Sequence, residues 1–151
     1  QMWGIPAHSR PPLPLLRGGL LFCGDPLFAW GLGRLSEGTP ADMPAALTKL
    51  AQLPAETRVY CGHAYTLSNL KFARAVEPGN AELATWNKAA SALRAKNEAT
   101  LPSTLAQELR ANPFMRCAEP GVIAAASKHA GERLTDPGRV LGALRAWRTN
   151  F

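Results

Sequence analysis

The sequence has little with which to staple itself and nothing with which to thread a membrane. Its 151 residues hold three cysteines, Cys23, Cys61 and Cys117, an odd number without Cys-x-x-Cys spacing. That argues against a disulfide framework and gives a thiolate zinc site no motif. It suits a reducing, cytoplasmic compartment in which each thiol serves as a small buried hydrophobe. No uncharged apolar run reaches the roughly 18 residues that a membrane helix needs. No basic segment precedes an apolar one near Gln1, and Pro11, Pro12 and Pro14 break the nearest candidate, so a secretory leader is not expected. Acidic residues are few, 11 against 17 basic, for a formal net charge of +6. The excess is uneven: residues 1–70 carry five basic and four acidic side chains, residues 71–151 twelve and seven. The basic residues are scattered, with no Lys/Arg-rich run and no interleaved aromatics, so the footprint of a nucleic-acid binder is missing. A small anionic ligand fits that charge better. Histidine is scarce, with only His8, His63 and His129.

What is present describes an ordinary soluble globular protein, 46% hydrophobic and 19% charged. The length suits one domain with a core that needs no staples. Thirteen glycines and thirteen prolines predict many turns and short capped helices. Leu20-Leu-Phe-Cys23, preceded by a Gly18-Gly19 turn, and Arg58-Val-Tyr-Cys61 are short apolar runs ended by glycine, the pattern of buried strands. Between them a helix is predicted, with Thr39 as N-cap, Pro40 in its first turn, Asp42 completing a capping box, and Met43, Ala46, Leu47 and Leu50 as its apolar stripe. From about residue 66 the spacing turns helical. One helix runs from Leu67 to Val76, and a second, capped by Asn80, continues through Leu83, Trp86, Ala90 and Leu93. Ser103 with Gln107 marks a short helix ending near Asn112-Pro113, and residues 121–130 and Asp136–Trp147 give two more. The reading is α/β over residues 1–70 and all-α over 71–151, with no solenoid repeat.

The chemistry-bearing residues sit at strand ends. Leu21-Phe-Cys-Gly-Asp25 and Val59-Tyr-Cys-Gly-His63 share one form: an apolar strand, Cys, Gly, then a metal-capable side chain. With His8 on a short loop, the set becomes two imidazoles and a carboxylate, suited to zinc, iron or manganese. The bland alternative for each is a hydrogen-bonded structural residue. His129 stands apart, on an Ala-rich helix, as a surface residue. Arg145 and Arg148, spaced i, i+3, share a helix face and could fork onto carboxylates, or could be ordinary cations at a helix C-terminus.

Phe22-Cys-Gly-Asp-Pro-Leu-Phe28, Gly33-Arg-Leu-Ser-Glu-Gly-Thr39, Tyr60-Cys-Gly-His-Ala-Tyr-Thr-Leu-Ser-Asn-Leu-Lys-Phe-Ala73, Asn112-Pro-Phe-Met-Arg116 and Leu144-Arg-Ala-Trp-Arg-Thr-Asn-Phe151 resemble glyoxalase II, the hydroxyacylglutathione hydrolase branch of the metallo-β-lactamase superfamily. The resemblance implies the C-terminal half of an αββα sandwich followed by an all-α domain that binds glutathione. It implies that Asp25 bridges two divalent metal ions (zinc, iron or manganese) and serves in catalysis, with His8 and His63 as further ligands. His8 lies seventeen residues before Asp25, as the family pattern has it. It assigns Arg34, Tyr65, Arg145 and Arg148 to the glutathione moiety. The implied reaction is hydrolysis of a hydroxyacylglutathione thioester, typically of D-lactate, by a monomeric cytoplasmic enzyme that engages neither nucleic acid nor membrane. The family's Thr-His-x-His-x-Asp-His motif is absent from residues 1–151 and is expected upstream of Gln1. Ala7, Pro26, Ser36 and Ala64 also depart from the usual residues. Without that upstream motif the alternative is an inactive remnant that binds glutathione or a partner.

Overall fold

The computed structural model describes residues 15–24, 27–29, 31–32, 42–61 and 65–151. Their elements are β1 (Leu15–Arg17), β2 (Leu20–Gly24), β3 (Leu27–Phe28), β4 (Gly31–Leu32), α1 (Asp42–Ala51), β5 (Arg58–Cys61), α2 (Thr66–Val76), α3 (Ala81–Ala95), β6 (Ser103–Thr104), α4 (Leu105–Ala111), a 3-10 turn (Pro113–Met115), α5 (Pro120–Ala130) and α6 (Pro137–Thr149).

A four-stranded sheet runs in the order β1-β2-β5-β6, and β3 with β4 forms a separate hairpin. The two apolar runs predicted as strands are its central pair, β2 and β5, parallel with Leu21 opposite Val59 and Phe22 opposite Tyr60. β1 folds back on β2 through Gly18 and Gly19, whose φ angles of 56° and 76° suit glycine and match the twist of a tight hairpin. Side chains alternate across the sheet. Leu21, Cys23 and Val59 are buried on one face, while Phe22 and Tyr60 stack at 5.1 Å on the other. The inner face meets Met43, Ala46, Leu47 and Leu50 of α1 and Val122, Val140 and Leu144 of α5 and α6 in one continuous cluster. A smaller cluster gathers Ala29, Leu70, Ala73, Leu83, Ala90 and Ala111.

The helices fall where the spacing placed them, and the stripe of α1 is buried as expected. Its proposed cap at Thr39 and Pro40 lies outside the described residues. The short helix read from Ser103 and Gln107 is α4, and its cap is Thr104: Thr104 Oγ1 accepts from the Gln107 N–H at 3.3 Å, and Gln107 Oε1 accepts from the Thr104 N–H at 2.8 Å. The Ser103 hydroxyl is committed to Glu108 Oε1 at 2.6 Å. One reading needs correction: residues 71–151 are not wholly helical, because Ser103–Thr104 pairs antiparallel with β5 through Val59 and Arg58. A two-residue strand has no period of its own; its pairing with a distant strand makes it one. The expected boundary at residue 70 falls inside α2, and the main core cluster draws on residues from both sides of it.

None of the three cysteines is in a disulfide; Cys23 and Cys117 are buried and Cys61 is half-buried. Burial pushes the Cys117 thiol up to about 12 and the Cys23 thiol well above the ordinary range, so both stay protonated. No helix among the described residues is long and apolar enough to cross a membrane.

Candidate functional site

Because β2 and β5 are adjacent and parallel, their C-terminal ends lie side by side, with Gly24 opposite Cys61 across a bulge. Ligand sites in sheets with parallel strands gather at such carboxyl ends. Asp25 follows β2 directly in sequence, and His63 comes two residues after β5. Four of the residues singled out from the sequence, His8, Asp25, Arg34 and His63, lie outside the described residues. Among the described residues no group of three or more His, Cys, Asp or Glu side chains is placed to hold a metal ion.

The other three candidates are described: Tyr65 stands at the start of α2, and Arg145 and Arg148 lie on α6, whose last turn meets α2. Tyr65 is the residue on which α2 starts, and its side chain is 54% exposed and makes no cap hydrogen bond. Arg148, in the last turn of α6, reaches into the first turn of that same helix. Its Nη2 donates to Ser68 Oγ at 2.8 Å and to Asn69 Oδ1 at 3.4 Å, and its guanidinium lies 5.8 Å from the Phe72 ring centroid. Arg145, one turn earlier on α6, is half-buried, and its desolvation lowers the guanidinium pKa from its ordinary value. The docking is held from below by rings: Phe72 is fully buried and meets Trp147 edge-on at 5.5 Å and Phe151 edge-on at 5.4 Å. At the junction the Arg148 guanidinium lies beside the Ser68 hydroxyl, and a guanidinium fork is suited to carboxylates and peptide carbonyls.

Sequence reasoning passed over the residues that hold this junction to the β3–β4 hairpin. Asn69, buried on α2, donates from Nδ2 to the Ala29 carbonyl at 3.1 Å. It packs so closely on Gly31 that a Cβ there would lie 2.5 Å from its Nδ2, which only glycine accommodates. Asn112 donates from Nδ2 to the Gly31 carbonyl at 3.1 Å and to Glu108 Oε2 at 2.8 Å. The available signal was an asparagine inside a helical stretch, where its short amide is unfavourable unless it has a partner. His129 is an exposed residue as expected, with its imidazole stacked on Trp147 at 4.3 Å.

Residues 64–151 match a family model described as hydroxyacylglutathione hydrolase C-terminus. Over 97% of its length the chain is 60% identical to a Cupriavidus taiwanensis protein named hydroxyacylglutathione hydrolase, of which it covers 57%. Proteins of the same name from Pseudomonas aeruginosa and Nitrosomonas europaea are 53% and 47% identical, over 100% and 97% of the chain and 60% and 56% of the relative. The chain thus spans little more than half the length of the curated relatives it matches.

Proposed function

The chain belongs to the hydroxyacylglutathione hydrolase family, and from that premise we propose that it carries the glutathione-binding part and a share of the metal site of a thioester hydrolase. The reaction is hydrolysis of S-(2-hydroxyacyl)glutathione, S-D-lactoylglutathione foremost, to glutathione and a 2-hydroxy acid, in the detoxification of methylglyoxal. The observation that carries this reading is the docking of α6 on the start of α2, which brings Arg148 to the helix that opens at Tyr65. In this reading residues 1–70 belong to the metallo-β-lactamase-like portion and residues 71–151 to the glutathione-binding portion. The protein works as a cytoplasmic monomer.

The substrate has two carboxylates and a peptide backbone. Arg145 and Arg148 clasp its glycine end, as guanidinium forks hold carboxylates in a bidentate way. Partial burial of Arg145 favours this, since a half-desolvated cation gains more from an incoming anion than one in bulk water. Tyr65 donates its phenol to the glutathione backbone, and Arg34 holds a further carboxylate. His8, Asp25 and His63 would hold the metal ions, with Asp25 as the bridge; two imidazoles and a carboxylate are a fitting donor set for zinc, iron or manganese. When bound, two such ions lower the pKa of a water towards neutrality and so supply hydroxide. The leaving group is a thiolate, so no strong general acid is required of the chain.

The test is to produce the complete encoded protein, including whatever precedes Gln1, and to follow loss of the S-D-lactoylglutathione thioester. The expected outcome is hydrolysis, with about two metal equivalents per chain. Glutathione binding with neither metal nor turnover would replace the hydrolase reading with that of a binding module.

A further inference from the structure

The β3–β4 hairpin is bracketed in sequence by two residues of the proposed site: Asp25 stands two residues before β3, and Arg34 two residues after β4. Its placement depends on side chains from far along the chain. Asn112 is fully buried directly after α4, and each of its polar groups is used. Nδ2 donates to the Gly31 carbonyl at 3.1 Å and to Glu108 Oε2 at 2.8 Å, and Oδ1 accepts from the Phe114 N–H at 3.0 Å. Glu108, also fully buried, accepts the Ser103 hydroxyl on its other oxygen at 2.6 Å. Ser103 lies in β6, which pairs with Val59 of β5, the strand that runs on towards His63. Side-chain hydrogen bonds and the β5–β6 pairing therefore tie the hairpin to the strand that precedes His63 in the sequence. An aliphatic filling of this space would avoid the cost of desolvating a carboxylate and an amide. What the polar line adds is direction, because it fixes one carbonyl of β4 relative to the sheet.

We infer that Asn112, oriented by Glu108, is a positioning residue that sets the β3–β4 hairpin, which Asp25 and Arg34 flank in the sequence; the inference rests on the hydrolase reading above. A misplacement of about an ångström at a binding group can cost one to two orders of magnitude. The side chains concerned touch neither substrate nor metal in this scheme; they act through the Gly31 carbonyl.

The test uses the complete, metal-loaded enzyme with Asn112→Asp, Glu108→Gln and the double variant. An aspartate at 112 only accepts, so it opposes both the Gly31 carbonyl and Glu108. In the double variant the glutamine amide donates to that aspartate and still accepts from Ser103, which restores the internal contact while Gly31 stays without its donor. Asn112→Asp is expected to lower the melting temperature and to raise both the KM for S-D-lactoylglutathione and the Kd for glutathione on the order of tenfold. The double variant is expected to recover the melting temperature but not KM or Kd. Recovery of all three together overturns the inference, since that is what a merely structural network would do. Should Asn112→Asp fail to fold, Ser103→Ala loosens the same line at its β6 end. A several-fold rise in KM supports the inference, and an unchanged KM overturns it. If the wild-type enzyme binds glutathione without hydrolysing the thioester, the hydrolase reading falls, and the glutathione Kd values alone decide this one. If it binds neither, both fall.

Discussion

An arginine in the last turn of a helix ordinarily stays in water, gaining a few tenths of a kcal/mol from the helix dipole. Arg148 does more, because Ser68 and Asn69 accept from its guanidinium and Phe72 lies beneath it. Arg145 is half-buried on the same helix. The i, i+3 spacing of the pair was legible, but which helix they would meet was not, since that depends on how α6 packs. Replacing Arg145 by alanine in the complete enzyme should weaken glutathione binding by roughly tenfold or more, the worth of a charged hydrogen bond. Metal content should not change. Calorimetry and metal analysis of the same preparation check both halves, and an unaltered affinity would remove Arg145 from the clasp. At this scale the sequence was weakest on buried polar residues. Asn69, Glu108 and Asn112 carry no periodicity that separates them from exposed polar residues. Their value lies in partners 40 and 81 residues away, and in partners four and five residues away that the fold turns towards them.

At the scale of elements the local rules served well, because helices and turns are settled by near neighbours. The α1 stripe, the Asn80 cap and the glycine turn before β2 all stand where the spacing put them. The Asn80 side chain accepts from the Glu82 N–H at 3.1 Å, as a cap should. The cap of α4 is instructive. Ser103 and Thr104 are both good caps by type, and the choice falls to Thr104 because Ser103 is held in β6 by Val59 and by Glu108. Thr104→Ala should therefore destabilise the protein by about 1 kcal/mol, the ordinary worth of an N-cap, with little effect on catalysis. Urea unfolding monitored by circular dichroism measures it, and a loss near zero would mean that the capping box adds nothing to the packing of Leu105.

For the whole molecule, charge and core lead in different directions. The positive excess sits in residues 71–151, where the substrate's carboxylates are proposed to bind. Attraction to an anionic substrate is screened by salt, with a Debye length of about 10 Å at 0.1 M. Raising NaCl to about 0.5 M should thus increase KM several-fold while kcat changes little. A flat KM across that range would show that only the desolvated clasp, and not the field of the helical half, draws the substrate in. The core, by contrast, ignores the division that charge and spacing drew at residue 70. Leu21 and Val59 share one cluster with Val122, Val140 and Leu144. The sequence by itself determined the helices, the central strands β2 and β5 and the helix face shared by Arg145 and Arg148, because each follows from patterns within a dozen residues. Only the tertiary structure decided that β6 joins the sheet, that α6 docks on the start of α2, and that buried amides hold the hairpin. Those depend on long-range pairing and on desolvated hydrogen bonds, whose partners are brought together only when the core closes.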